Sequence, residues 1–153
     1  MSVYHEDILH IWQPTTALKG RNPAQTAFKE IVRHDDYFKI SIVDAYDTQV
    51  DLIYDQHRPS EVPDVEYYVW AYRYGTEYGR FDLNGKKVDE TNRICTESSY
   101  FFKVSNSEFI KWFDKNPLIN SFTHPTLEHH LYLTGDEVLD VLSIYEPKII
   151  IAK

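Results

Sequence analysis

Apolar residues recur at helical spacing soon after Asn22-Pro23, where Ala24, Ala27, Phe28, Ile31 and Val32 form one stripe. Asn is a favoured N-cap, and Pro suits the first helical position because its missing N–H would be unpaired there anyway. Arg33 and His34 fall in the last turn, where positive charge suits the helix dipole. The spacing predicts a helix over 24–34.

Residues 37–55 fit two periods. As strands, Phe38, Ile40 and Ile42 alternate with Lys39 and Ser41, and Val50, Leu52 and Tyr54 alternate with Asp51 and Asp55. As a helix, Val43, Tyr46, Val50, Ile53 and Tyr54 share a face, but Asp47, Asp51 and Asp55 would then stack at i, i+4, i+8. The density of β-branched residues favours a hairpin. Residues 56–65 carry Pro59 and Pro63 among polar residues and read as a loop. Glu66 to Tyr74, rich in Tyr, Val and Trp, reads as a strand, and Gly75 and Gly79 mark a bend after it. Asn84-Gly85 predicts a tight hairpin joining 78–83 to 86–91. Tyr100–Val104 reads as the next strand.

Ser105-Asn106-Ser107-Glu108 has the form of a capping box, with Ser105 as N-cap; Phe109, Ile110, Trp112 and Phe113 supply the apolar side before Asn116-Pro117 stops the helix. Thr134-Gly135-Asp136-Glu137 repeats the box and predicts a last helix over 136–145, with Val138, Leu139, Val141, Leu142 and Tyr145 inward. His130–Leu133 and Lys148–Ala152 read as strands on either side of it. The chain therefore predicts an α+β fold in a single domain over 1–153, with a mostly antiparallel sheet of five to seven strands packed against helices near 24–34, 106–115 and 136–145.

Composition narrows the function classes. Hydrophobic residues at 42% and charged residues at 26% suit a folded globular chain. Cys95 is the single cysteine, which excludes an intramolecular disulfide and a cysteine-rich zinc site. Five glycines leave no glycine-rich phosphate loop. No apolar run is long enough for a membrane helix, and Met1–Asp7 carries neither a basic nor an apolar leader segment, so a cytoplasmic location is expected.

The net charge is −8, which argues against nucleic acid or an anionic membrane as direct partner. Between Asp35 and Glu66 stand nine acids against Lys39 and Arg58, a local −7 that holds nearly all of the excess. Asp44, Asp47, Asp51 and Asp55 are its centre. If clustered in space they form a face that steers a basic protein partner; the plainer account is the solvated outside of a hairpin. On a strand, Tyr68, Trp70, Tyr72 and Tyr74 share one face. That ladder suits either a core wall or a partner-binding surface.

Candidate chemistry is thin. His124, Glu128, His129 and His130 form the densest group of metal-type ligands. On a strand His129 and His130 point to opposite faces, which leaves His124, Glu128 and His130 as a weak metal candidate and no metal or other cofactor as the expectation. No nucleophile elbow or phosphate-loop lysine motif is present, and Cys95 beside Arg93 reads as a small buried hydrophobe.

The expected function is an acidic cytosolic protein-interaction module, an inhibitor, immunity-type or adaptor protein. It would bind a basic partner through Asp44, Asp47, Asp51 and Asp55 and through Tyr68, Trp70 and Tyr72. A small-ligand-binding domain or hydrolase with a histidine beside the aromatic face is the alternative, and a structural subunit of a larger assembly, viral ones included, is a third. The sequence does not address oligomeric state.

Overall fold

A computed structural model describes residues 7–12, 26–34, 36–46, 48–55, 69–76, 87–89 and 101–152. They form ten strands and one helix: β1 (Ile8–Ile11), β2 (Thr26–Arg33), β3 (Phe38–Asp44), β4 (Gln49–Tyr54), β5 (Ala71–Thr76), β6 (Lys87–Asp89), β7 (Phe101–Ser105), α1 (Glu108–Phe113), β8 (Glu128–Leu133), β9 (Glu137–Ser143) and β10 (Lys148–Ala152). One sheet has six strands in the order β5-β9-β8-β7-β1-β6, and the other has four in the order β10-β4-β3-β2. Every pairing is antiparallel except that of β1 with β6.

The two sheets share one core, so the architecture is a β-sandwich. Phe38, Ile40 and Ile42 of β3 and Val50, Leu52 and Tyr54 of β4 meet Phe101 of β7, Tyr132 of β8, and Leu139 and Val141 of β9. Both sets come from alternate positions, as the pleat requires. The opposite face of the large sheet is buried as well. Leu9, Ile11, Phe102, Val104, Leu131 and Val138 form a second cluster there, and Leu142 packs with Phe109 of α1 and Leu127 in a third.

The expected α+β class is thus overturned: among the described residues the chain is predominantly β, with one short helix instead of three and ten strands instead of five to seven. Where a helix over 24–34 was expected, the described residues Thr26–Arg33 form β2. Its register shifts between Phe28 and Glu30, a bulge that adds one residue to the strand. Phe28 and Ile31 therefore reach the same core while three residues apart, which imitates helical spacing. The segment expected as a helix over 136–145 is β9. It lies between β5 and β8, and all of Val138–Ser143 is buried. A strand covered on both faces loses its alternation and presents a continuous apolar run. The supposed second capping box closes the β8–β9 hairpin instead: the Thr134 N–H donates to the Glu137 carbonyl at 3.1 Å around Gly135-Asp136, and the Thr134 hydroxyl caps nothing.

Residues 37–55 do form a hairpin, with Phe38 paired to Tyr54 and Val43 to Gln49. The helix after β7 is also real. Its N-cap is Ser107 instead of Ser105, because Asn106 turns the chain through a left-handed conformation at φ 54°. The 78–83 strand, the Asn84-Gly85 turn and Cys95 lie outside the described residues. Among the described residues no helix is long and apolar enough to cross a membrane.

Tyr54 is the polar rivet between the sheets. Its hydroxyl lies 2.6 Å from His130 Nδ1 and 2.5 Å from the Tyr132 hydroxyl, both on β8. A Tyr54→Phe substitution strands both partners in the core and should cost about 1–3 kcal/mol. The expected result is a lower urea midpoint with an unchanged slope; an unchanged midpoint would show that the bonds carry no net stability.

Candidate functional site

The adjacent residues His129 and His130 organise two buried hydrogen-bond relays, one on each side of β8. On the inner side, Glu128 Oε1 lies 2.9 Å from His130 Nε2. A carboxylate only accepts, so Nε2 carries the proton and Nδ1 accepts from Tyr54, which in turn accepts from Tyr132. Glu128 also pairs with Lys103 at 3.3 Å, and Lys103 bonds Glu146. The indole of Trp12 stacks on His130 at 4.6 Å and receives the Lys103 ammonium at 5.3 Å. The relay therefore runs from the dry core to a charged rim.

Burial pushes the His130 pKa below its ordinary value, against the pull of Glu128. Burial also drives the Tyr54 and Tyr132 hydroxyls up, so both stay protonated. For Glu128, burial acts upward, but the bond from His130 and the Lys103 charge outweigh it and hold the carboxyl below its ordinary value.

On the outer side, Ser107 Oγ lies 2.7 Å from His129 Nδ1, and His129 Nε2 lies 2.6 Å from Asp140 Oδ1. Asp140 Oδ2 accepts from Arg73 Nε at 3.0 Å, and the Arg73 guanidinium lies over the Phe109 ring at 4.5 Å. The register explains the meeting: Leu131 pairs with Asp140 and Leu142 with His129, which makes His129 and Asp140 diagonal neighbours on one face. Ser107 Oγ also accepts from the Ile110 N–H at 3.0 Å. Asp7 Oδ1 accepts from the Glu108 N–H at 2.8 Å. The relay thus fixes the start of α1 onto the sheet.

The segment following α1 is tied to itself. Asp114 accepts from the Ser121 N–H at 2.7 Å and from its hydroxyl at 2.5 Å. Asn120 Oδ1 accepts from the N–H groups of Phe122 and Thr123, and Asn116 Oδ1 from the N–H of Leu118. Trp70 backs this region, with Phe113 at 5.9 Å and His124 edge-on at 5.0 Å. Yet Leu118 and Phe122 of the loop face water while Ile119 is partly buried: Leu118 is 81% exposed, Phe122 80%, and Trp112 on α1 57%. A constrained loop holding large hydrophobics outward is not an ordinary surface.

Among the described residues, the carboxylates expected to bind a partner are engaged within the fold. Asp44 accepts from the N–H groups of Tyr46 and Thr48 and closes the β3–β4 turn. Asp51 accepts from Ser41 and Gln49 side chains, and Asp55 pairs with Lys148 at 2.6 Å. Asp44 and Asp55 stand at opposite ends of the hairpin, roughly 20 Å apart at ~3.4 Å per residue. Asp47 and Tyr68 lie outside the described residues. Trp70 sits on the α1 side of the sheet, whereas Tyr72 packs on Phe38 at 4.8 Å on the sandwich side, so the two do not share a face. Glu128 and His130 bond each other on the sandwich side, away from His124, and among the described residues no three metal-type ligands converge.

Sequence reasoning passed over Ser107 and Asp140, which only the β8–β9 register brings to His129. It also passed over Leu118 and Phe122, whose signal is that, with Ile119, they are large apolar residues inside a stretch rich in Asn, Ser, Thr and Pro.

The inner relay has a stated pH dependence. Because the folded pKa of His130 is depressed, the unfolded chain binds the proton first as pH falls below ~6.5. Stability is then fully present above that pH and is lost as pH drops toward the folded value; Glu128 adds a second loss at lower pH. Urea midpoints should hold level from about pH 7.5 to 6.5 and fall from there to about 5.5, and a His130→Gln chain should show a flatter profile. A flat profile for the unaltered chain contradicts a buried neutral His130.

Comparison with known proteins found no matching family model, no matching curated protein and no matching solved structure.

Proposed function

We propose that the chain is a protein-interaction module anchored by the exposed side chains of Trp112 on α1 and of Leu118 and Phe122 in the loop that follows, together called the tip. The observation that carries this reading is the pairing of order with exposure. The loop spends its polar side chains on its own backbone, at Asp114, Asn116 and Asn120, and leaves Leu118 and Phe122 outside. Aromatic anchors of this kind carry a large share of binding energy in protein interfaces. The net charge of −8 supports a basic partner, drawn by the overall field. It does not require a local carboxylate cluster, since Asp44, Asp51 and Asp55 already serve the hairpin. The single thiol suits a reducing compartment such as the cytosol.

A second reading, a hydrolase, has one observation in its favour. The hydroxyl of Ser107 donates to His129, which donates to Asp140, the proton order of a nucleophile, base and acid. Burial of all three and the capping bond to Ile110 favour a structural role.

Both readings are open to test. Replacing Trp112, Leu118 and Phe122 together by Ser should change the unfolding free energy by no more than ~0.5 kcal/mol per site. It should also abolish salt-sensitive retention of basic proteins from native lysate. Equal retention by the folded variant would remove the tip as the anchor. A fluorophosphonate probe should leave Ser107 unlabelled; labelling that disappears in Ser107→Ala would install the hydrolase reading instead.

A further inference from the structure

The four-stranded sheet ends on one side at β10 and on the other at β2. An edge strand offers a row of N–H and C=O groups to any second strand, and proteins commonly block such edges with charges or bulges. The β2 edge is blocked in both ways. It bulges between Phe28 and Glu30, and it carries Lys29, Glu30 and Arg33. β10 has no bulge, and its single charge, Lys148, stands at its first position in an ion pair with Asp55. Its sequence is Lys-Ile-Ile-Ile-Ala, its ladder to β4 is unbroken from Lys148 to Ala152, and among the described residues β4 is its single neighbour. Ile150 is 46% and Ile151 55% exposed.

We propose that β10 pairs antiparallel with β10 of a second copy of this chain, joining the two small sheets into one eight-stranded sheet across a two-fold axis. Three features select a second copy as the occupant. Antiparallel pairing centred on Ile150 is self-complementary: Ile150 meets Ile150, and each Ile149 meets Ile151 of the other copy. Ile149 already packs at the edge of the sandwich core, so the Ile149–Ile151 pairs extend an existing apolar stripe. The charge pattern agrees. Lys148, the one charged residue of β10, falls opposite Ala152 of the other copy and keeps its ion pair with Asp55, so the two lysines stand at opposite ends of the ladder.

The guarded β2 edge gives the assembly its closure. A sheet with one open edge makes a two-fold dimer, whereas two open edges would allow a fibre. A five-residue edge falls short of the ~1,200–2,000 Å² that stable complexes bury, so the dimer is reversible.

Sedimentation of the native chain over a concentration series should show a monomer–dimer equilibrium. Ile150→Lys places two like charges face to face at the axis and should weaken the dimer by about tenfold or more. Tyr46→Lys, an exposed change on the β3–β4 turn, should not. Register is read separately by cross-linking in a Cys95→Ser background. Ile150→Cys should oxidise readily to a covalent dimer, because directly opposed strand residues lie within disulfide reach. Ile151→Cys faces Ile149 and should cross-link far more slowly. A monomer at every concentration, a dimer indifferent to Ile150→Lys, or equal cross-linking at both positions would overturn the pairing.

Discussion

The central strands β8 and β9 are buried on both faces and have no solvent to satisfy their polar side chains, and that requirement shapes this molecule. β8 lies in the middle of the sheet and carries two imidazoles, one toward each layer. Each must find a donor or acceptor inside protein, since an unpaired buried polar group costs as much as several good contacts return. The solution differs on the two sides. Toward the small sheet, His130 is met by a tyrosine from the facing layer and by an acid on its own strand. Toward α1, His129 is met by an acid from the adjacent strand and by the residue that caps the helix. The polar groups therefore decide how the covering layers sit, and the apolar residues fill the space between.

This division links the buried interior to the exposed tip. Ser107 holds the first turn of α1 against His129, and the last turn passes directly into the loop closed by Asp114 and Ser121. The orientation of Trp112 thus depends on contacts at the far end of a helix of six residues. A helix this short has little stability of its own. It persists because its start is pinned by Ser107 and Asp7 and its inner side rests on Phe109.

What was legible in the sequence follows from how each element is covered. β3 and β4 have one face in the core and one toward water, so their alternation could be read directly. β9 has no outward face, and its run of apolar residues fits either period. β2 has the outward face but also a bulge, and one inserted residue is enough to turn a strand period into a helical one. α1 was visible in its apolar residues, though its start was misplaced by two positions because a left-handed Asn106 sits inside the apparent capping box. The relays were not legible at all beyond the opposite facing of His129 and His130. Glu128 and His130 are neighbours on one strand, but Tyr54, Ser107 and Arg73 come from distant segments that only the folded sheets bring to the histidines.

The adjacency of those two histidines has a mechanical consequence. One peptide unit separates the residue that grips the facing sheet from the residue that grips α1. A slip of β8 by a single position along its own axis would swap the two imidazoles between the layers and break both sets of bonds at once. The middle strand is therefore latched from above and below at one point, and its alignment with its neighbours is held by polar groups as well as by the ladder.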